Sequence, residues 1–161
     1  MNKNRILAVL CSAALLSGCA LAPTPLHFSS APTNSPVQVN TDSLGQTLMI
    51  RVDQPLSAGD VNYPYVIDRG LGDYIASRVH TTSPVAVDVL MIAIQSDSQI
   101  SQFYSTCSVA YNINGKGVKS DYQYVYSYDT FNVSPEELGY GVVTPCLNHL
   151  AEDIQVYADS L

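Results

Sequence analysis

SDYQYVYSYDT, residues 120–130, places tyrosine at every second position: Tyr122, Tyr124, Tyr126 and Tyr128. In an extended strand successive side chains leave opposite faces, so this spacing predicts a strand with a ladder of phenols along one side. The interleaved Asp121, Gln123, Ser127 and Asp129 make the other side polar, with Val125 as its apolar exception. The tyrosine side is therefore the one that can be buried. Its hydroxyls must then find partners, because an unpaired buried phenol is costly.

Upstream, STCSVAYNIN and KGVKSDYQYVYSYDTF flank NGKG, residues 114–117. This is a hairpin signal in which glycine supplies positive φ. With a two-residue loop, at Asn114-Gly115 or at Gly115-Lys116, odd positions of the first strand oppose even positions of the second. The ladder then shares a face with Cys107, Val109, Tyr111 and Ile113. A bulge or a three-residue loop reverses that assignment.

Working outward, PVAVDVLMIAIQ (84–95) is apolar on both faces from Val85 to Ile94, interrupted by Asp88. The pattern predicts a central strand covered by helices on one side and largely covered on the other. Asp88 reads as a structural carboxylate, at a sheet edge or paired with Arg51 or Arg69; a catalytic acid is the alternative reading and lacks a visible partner. QTLMIRVDQ (46–54) alternates Leu48, Ile50 and Val52 against Thr47, Met49 and Arg51, and is the first expected strand. In DRGLGDYIASRVH (68–80), Leu71, Tyr74, Ile75 and Val79 recur at helical spacing, and the following TTSP is a stop.

The last element begins at Ser134-Pro135-Glu136-Glu137, a capping box with proline at the first helical position. Val143, Leu147, Leu150, Ile154 and Tyr157 continue it as an amphipathic stripe. Pro145 either kinks this helix or begins a second one. The order strand, helix, strand, strand, strand, helix predicts an α+β fold: a small antiparallel sheet of about four strands with two helices packed on one face.

The N-terminus places the protein in the cell. MNKNRILAVLCSAALLSGCA sets Lys3 and Arg5 before an apolar run too short to span a bilayer. It ends in Leu16-Ser17-Gly18-Cys19, which resembles the bacterial lipobox. The resemblance implies a signal peptide over residues 1–18 and acylation of Cys19 by chains such as palmitate, each buried methylene holding the membrane by about 0.8 kcal/mol. Ala20 after the cysteine implies the periplasm-facing leaflet of a Gram-negative outer membrane. Residues 19–40, rich in Pro, Ser and Thr, read as an acylated, semi-rigid tether of up to about 60 Å. Residues 41–161 read as a single periplasmic domain.

Beyond residue 18 the chain carries five basic and fourteen acidic side chains, a formal balance of −9. Such a surface repels phosphate backbones and offers no basic patch for anionic lipid, so nucleic acid is excluded as a partner and lipid must anchor the chain. In an oxidising periplasm Cys107 and Cys146 read as a disulfide. The alternative is a Cys146 nucleophile served by His149, without a third orienting group. His27, His80 and His149 are scattered, so neither a metal nor a cofactor is expected. The glycine clusters GLG, NGKG and GYG lack the setting of a phosphate loop, and no nucleophile elbow occurs. An enzyme is not expected.

Taken together, the lipobox, the Pro-rich tether, DYIASRVH, VAVDVLMIAI and YSYDTFNVS leading into a long terminal helix resemble the YajG-like small outer-membrane lipoproteins. The element order also looks like the lipoprotein subunit that plugs the lipopolysaccharide translocon. Both resemblances imply a non-enzymatic scaffold or accessory subunit of an envelope assembly or transport complex, with a membrane and an envelope protein as partners. A second reading is a glycan or peptidoglycan module that uses Tyr122, Tyr124, Tyr126 and Tyr128, since tyrosine joins an apolar ring to a hydrogen-bonding tip.

Overall fold

The computed structural model describes residues 22–28, 35–45, 47–53, 61–67, 70–99, 102–128 and 133–161. Within them lie seven strands and two α-helices: β1 (Thr24–Leu26), β2 (Val37–Asn40), β3 (Thr47–Asp53), β4 (Val61–Ile67), α1 (Leu71–Ala76), β5 (Val85–Gln99), β6 (Gln102–Ile113), β7 (Lys116–Ser127) and α2 (Pro135–Asp159). All seven strands form one mixed sheet, in the order β1-β4-β3-β5-β6-β7 with β2 also paired to β5. This corrects the expected small antiparallel sheet of four strands. The correction comes from strands whose pairing is parallel and distant in sequence: β1 on β4, and β2 and β3 on β5.

The sheet is organised around β5. Val37–Asn40 pairs with Val85–Asp88, and Ile50–Asp53 pairs with Ile94–Asp97 on the same edge, so β2 and β3 lie end to end beside one long strand. Between them a short 3-10 turn (Asp42–Leu44) and Gly45, at φ 69, take the chain off the sheet and return it. Two strands therefore fall inside the expected tether, and its apolar Leu26, Phe28 and Val37 belong to the core. A Pro/Ser/Thr-rich composition does not by itself keep such residues out of a sheet that offers an edge.

β4 breaks the alternation by which a strand is read, because Pro64 stands at its centre opposite Met49. Proline is tolerated where neighbouring pairing is incomplete, and β1 covers β4 only from Tyr65 to Ile67. The hairpin follows the local signals closely. Its loop is Asn114-Gly115, both at positive φ (47 and 81), as a primed two-residue turn requires. Cys107 consequently stands opposite Tyr122, which puts the ladder on the cysteine face.

That face is closed by α2. Ser134 caps it: the Ser134 hydroxyl accepts from the Glu137 N–H at 3.1 Å, and the Glu137 carboxylate accepts from the Ser134 N–H at 2.9 Å. Of the two readings of Pro145, the structure takes the continuous one, with the proline inside a single 25-residue helix. Pro145 offers no donor to the Gly141 carbonyl four residues before it, and the next carbonyl, that of Val142, accepts the Tyr124 hydroxyl. Val143, Cys146, Leu147, Leu150 and Ile154 are fully buried against the sheet.

Two glycines let this helix lie close. A methyl group on Gly139 would stand 2.5 Å from the Tyr65 ring of β4 and 2.9 Å from Leu26 of β1, and one on Gly141 would fall on the Tyr126 ring of β7. One helix thus touches both ends of the strand order, so the sheet curls around it. The helix expected over 68–80 is shorter, ending at Ala76, although Leu71, Ile75 and Val79 are buried as the spacing predicts.

Candidate functional site

The tyrosine ladder is built by the hairpin register and finished by α2. Tyr122 donates to the Asp153 carboxylate at 2.8 Å, beside Ser120 at 2.7 Å and Tyr111 at 3.4 Å. One carboxylate on α2 thereby accepts from three hydroxyls on β6 and β7. Tyr128 donates to the Gln99 carbonyl at 3.2 Å, and Tyr126 stacks on Phe103 with centroids 6.3 Å apart. All four rungs are half-buried. Burial, and then the negative charge of Asp153, push the Tyr111 phenol up to about 12. Burial likewise raises Tyr122, whose hydrogen bond to Asp153 adds to the effect, and Tyr124.

Cys107 and Cys146 form a disulfide, both fully buried, joining β6 to α2. Cys146 is thus committed, and the nucleophile alternative falls. His149 instead contacts Glu152 through Nδ1 at 3.0 Å and stacks on Tyr122 at 5.3 Å. Cys19, the lipobox and the signal lie outside the described residues, as does Arg69. Asp88 is exposed, and its carboxylate accepts from Asn40 Nδ2 at 3.3 Å, a link between paired strands. Among the described residues no group of His, Cys, Asp and Glu is arranged to hold a metal, and no helix is long and apolar enough to cross a membrane.

A hollow of about 820 Å³ is lined by His80 and Asp159 with Thr81, Thr82 and Ser83. Its groups are tied structurally. Gln155 accepts from the His80 N–H at 2.7 Å, donates to the His80 carbonyl at 3.0 Å and donates to the Asp159 carboxylate at 2.7 Å. The arrangement fastens the end of α2 to the segment entering β5.

Among the described residues the sheet's other face carries no helix. Central coverage on both sides, expected for β5, gives way to strict alternation with Val85, Val87 and Val89 buried and Ala86, Asp88 and Leu90 exposed. Leu90 is the extra residue of a bulge, since Val89 pairs with Tyr111 and Met91 with Ala110. The bulge turns two consecutive large apolar side chains outward. Met49 (49% exposed), Val66 (37%), Leu90 (43%) and Met91 (44%) are all exposed on this side. A groove of about 290 Å³ beside the bulge is lined by Met49, Leu90 and Met91 together with Leu44 and Ile67. Toward β6 and β7 the same face is mixed, with Thr106, Ser108, Asp121 and Gln123 beside the exposed pair Tyr104 and Val125.

Sequence reasoning did not single out Asp153 or this groove. Asp153 was findable: it lies seven residues after Cys146, two helical turns along the side that meets the ladder. The groove was not, because a bulge changes which residues share a face.

No protein-family model and no curated protein matches the chain. A solved structure described as "Crystal structure of uncharacterized protein" aligns with a TM-score of 0.39 at 8% identity, covering 84% of this chain and 99% of that one. A likeness at that level carries no argument.

Proposed function

We propose that the protein is an outer-membrane-anchored periplasmic lipoprotein acting as a non-enzymatic scaffold or accessory subunit of an envelope complex, and that it meets a protein partner through the helix-free face of the sheet. The observation that carries this reading is the group Met49, Leu90 and Met91 beside the β5 bulge, exposed on a face that no described element covers. Exposed apolar clusters on folded domains mark interaction surfaces. The two methionines can repack against differently shaped partners. The lipobox at Cys19 supports the anchor.

The glycan reading is weaker because its residues are occupied. The ladder packs beneath α2, and the hydroxyls of Tyr122, Tyr124 and Tyr128 are bonded within the chain. A sugar would have to displace α2 to reach the hydroxyls of Tyr122 and Tyr124, and the Gln99 carbonyl to take that of Tyr128.

Photo-crosslinking in cells tests the proposal. A photoreactive residue at Leu90 or at Met91 of the full chain should yield the same discrete adduct, absent when it replaces Val156 on the exposed side of α2. Adducts of equal strength at all three positions, or none, would refute it. Labelling with an alkynyl palmitate should mark the natural chain and not Cys19→Ser; equal labelling of both would remove the anchor.

A further inference from the structure

The strand order ends at β7, and among the described residues nothing pairs with its outer side. A bare edge of twelve residues is long for a folded protein, where edges are normally shortened, covered or guarded by charge. The two-residue loop makes Ile113 and Lys116 a hydrogen-bonded pair, so even-numbered residues of β7 direct their N–H and C=O groups to β6. Odd-numbered residues direct theirs outward. Their side chains, Gly117, Lys119, Asp121, Gln123, Val125 and Ser127, are all exposed on the helix-free face.

We infer that the β7 edge pairs antiparallel with β7 of a second copy of this chain, centred on Ser120, so that Lys119 of each copy stands opposite Asp121 of the other. The charges select this register. Two-fold antiparallel pairing through outward groups must set odd residues opposite odd residues, which leaves registers two residues apart. One step to one side puts Lys119 opposite Lys119, and one step to the other puts Asp121 opposite Asp121. Like charges directly opposite are unfavourable, and opposite charges in the same positions are favourable.

The register between those two forms a cross-strand ion pair twice, with Gly117 opposite Gln123 and about eight main-chain hydrogen bonds joining the sheets. Asp121 is already steadied on its own sheet by the Ser108 hydroxyl, which donates to one carboxylate oxygen at 2.5 Å. The other oxygen remains for a lysine across the edge. Because both copies present the same face, this assembly leaves the Leu90–Met91 surface open on each side, and it does not depend on the function proposed above.

The test is a charge swap in the full-length chain in mild detergent, read as mass by native mass spectrometry and light scattering. The natural protein should be a dimer. Lys119→Asp and Asp121→Lys should each weaken dimerisation at least tenfold, and the two together should restore it. Thermal unfolding verifies that each variant is folded; should Asp121→Lys lose its fold along with the Ser108 bond, Lys119→Asp alone decides by dissociating or not. A monomeric natural protein at tens of micromolar, a dimer indifferent to Lys119→Asp, or a folded double variant that stays monomeric would each overturn the inference.

Discussion

On the covered face of the sheet five side chains of β6 and β7 are bonded to α2: Cys107 to Cys146, Tyr124 to the Val142 carbonyl, and Tyr111, Ser120 and Tyr122 to Asp153. On the open face the sheet presents Met49, Leu90, Met91 and Val125 to solvent. Hydropathy does not separate the two, because the open face holds large apolar groups and the covered face holds phenols, serines and a carboxylate. Even Ser96 and Ser105 lie buried on the covered side, hydroxyl to hydroxyl at 2.7 Å across β5 and β6. What separates them is whether polar groups are matched. Tyrosines can be placed inside because α2 offers acceptors at the heights of their hydroxyls, and apolar groups can remain outside where no helix covers them.

Substitutions on the two faces should therefore act differently. The largest effect is expected from the cross-link. Replacing Cys107 and Cys146 by Ala opens a loop with a sequence separation of 39, and should lower unfolding free energy by about 4 kcal/mol in denaturant titration. Thiol titration of the unreduced, unfolded natural chain should find neither cysteine free.

Next comes Asp153→Ala, which leaves three hydroxyls beneath α2 without their acceptor. It should destabilise by about 1–3 kcal/mol. It should also bring Tyr111 down from about 12 toward the ordinary phenol range in a spectrophotometric titration, since the charge of Asp153 is one cause of its elevation. A raised phenol favours the neutral form in the folded state. Stability should accordingly be level below about pH 10 and fall as pH rises from there toward the folded value, less steeply in the variant.

Smaller again is Ser134→Ala, which removes the acceptor for the Glu137 N–H and should cost about 1 kcal/mol by thermal unfolding. The hydrogen bonds from Ser134, that of its backbone N–H foremost, hold the Glu137 carboxyl below its ordinary value. The stabilisation is therefore present above the ordinary carboxylate range and is lost as pH falls through the depressed value. Glu137→Gln should flatten that acid dependence.

The smallest effect on stability belongs to the open face. Leu90→Ser with Met91→Ser should shift unfolding by less than about 0.5 kcal/mol, as surface changes do, while abolishing the adduct formed by a photoreactive residue placed at the neighbouring Met49. A loss of several kcal/mol would mean that this face is packed, and would erase the contrast between the two sides.

Much of the hairpin and of α2 was legible from local chemistry. Asn114-Gly115 sets the turn, the turn sets the register, and the register carries the tyrosines to the side of Cys107. The capping box locates the start of α2 in the same local way. Pro145 was ambiguous because a proline inside a helix is tolerated only where packing holds the helix together, and that packing comes from the sheet beneath α2. β4 was missed because Pro64 breaks its alternation, and β1 and β2 because strands of three and four residues carry almost no periodicity.

The sequence by itself determined the elements whose signals lie within a few residues: the hairpin, the cap and the buried stripe of α2, together with the pairing of Cys107 with Cys146 and an acidic net charge of −7. Only the tertiary structure decided the number of strands, the parallel pairings along β5, the closeness of α2 at Gly139 and Gly141, and which apolar face stays open. The reason is physical. Turn and cap energies are local to the backbone, whereas a short strand is stabilised only by the edge it meets, and a face of Leu and Met looks the same in sequence whether or not a helix comes to cover it.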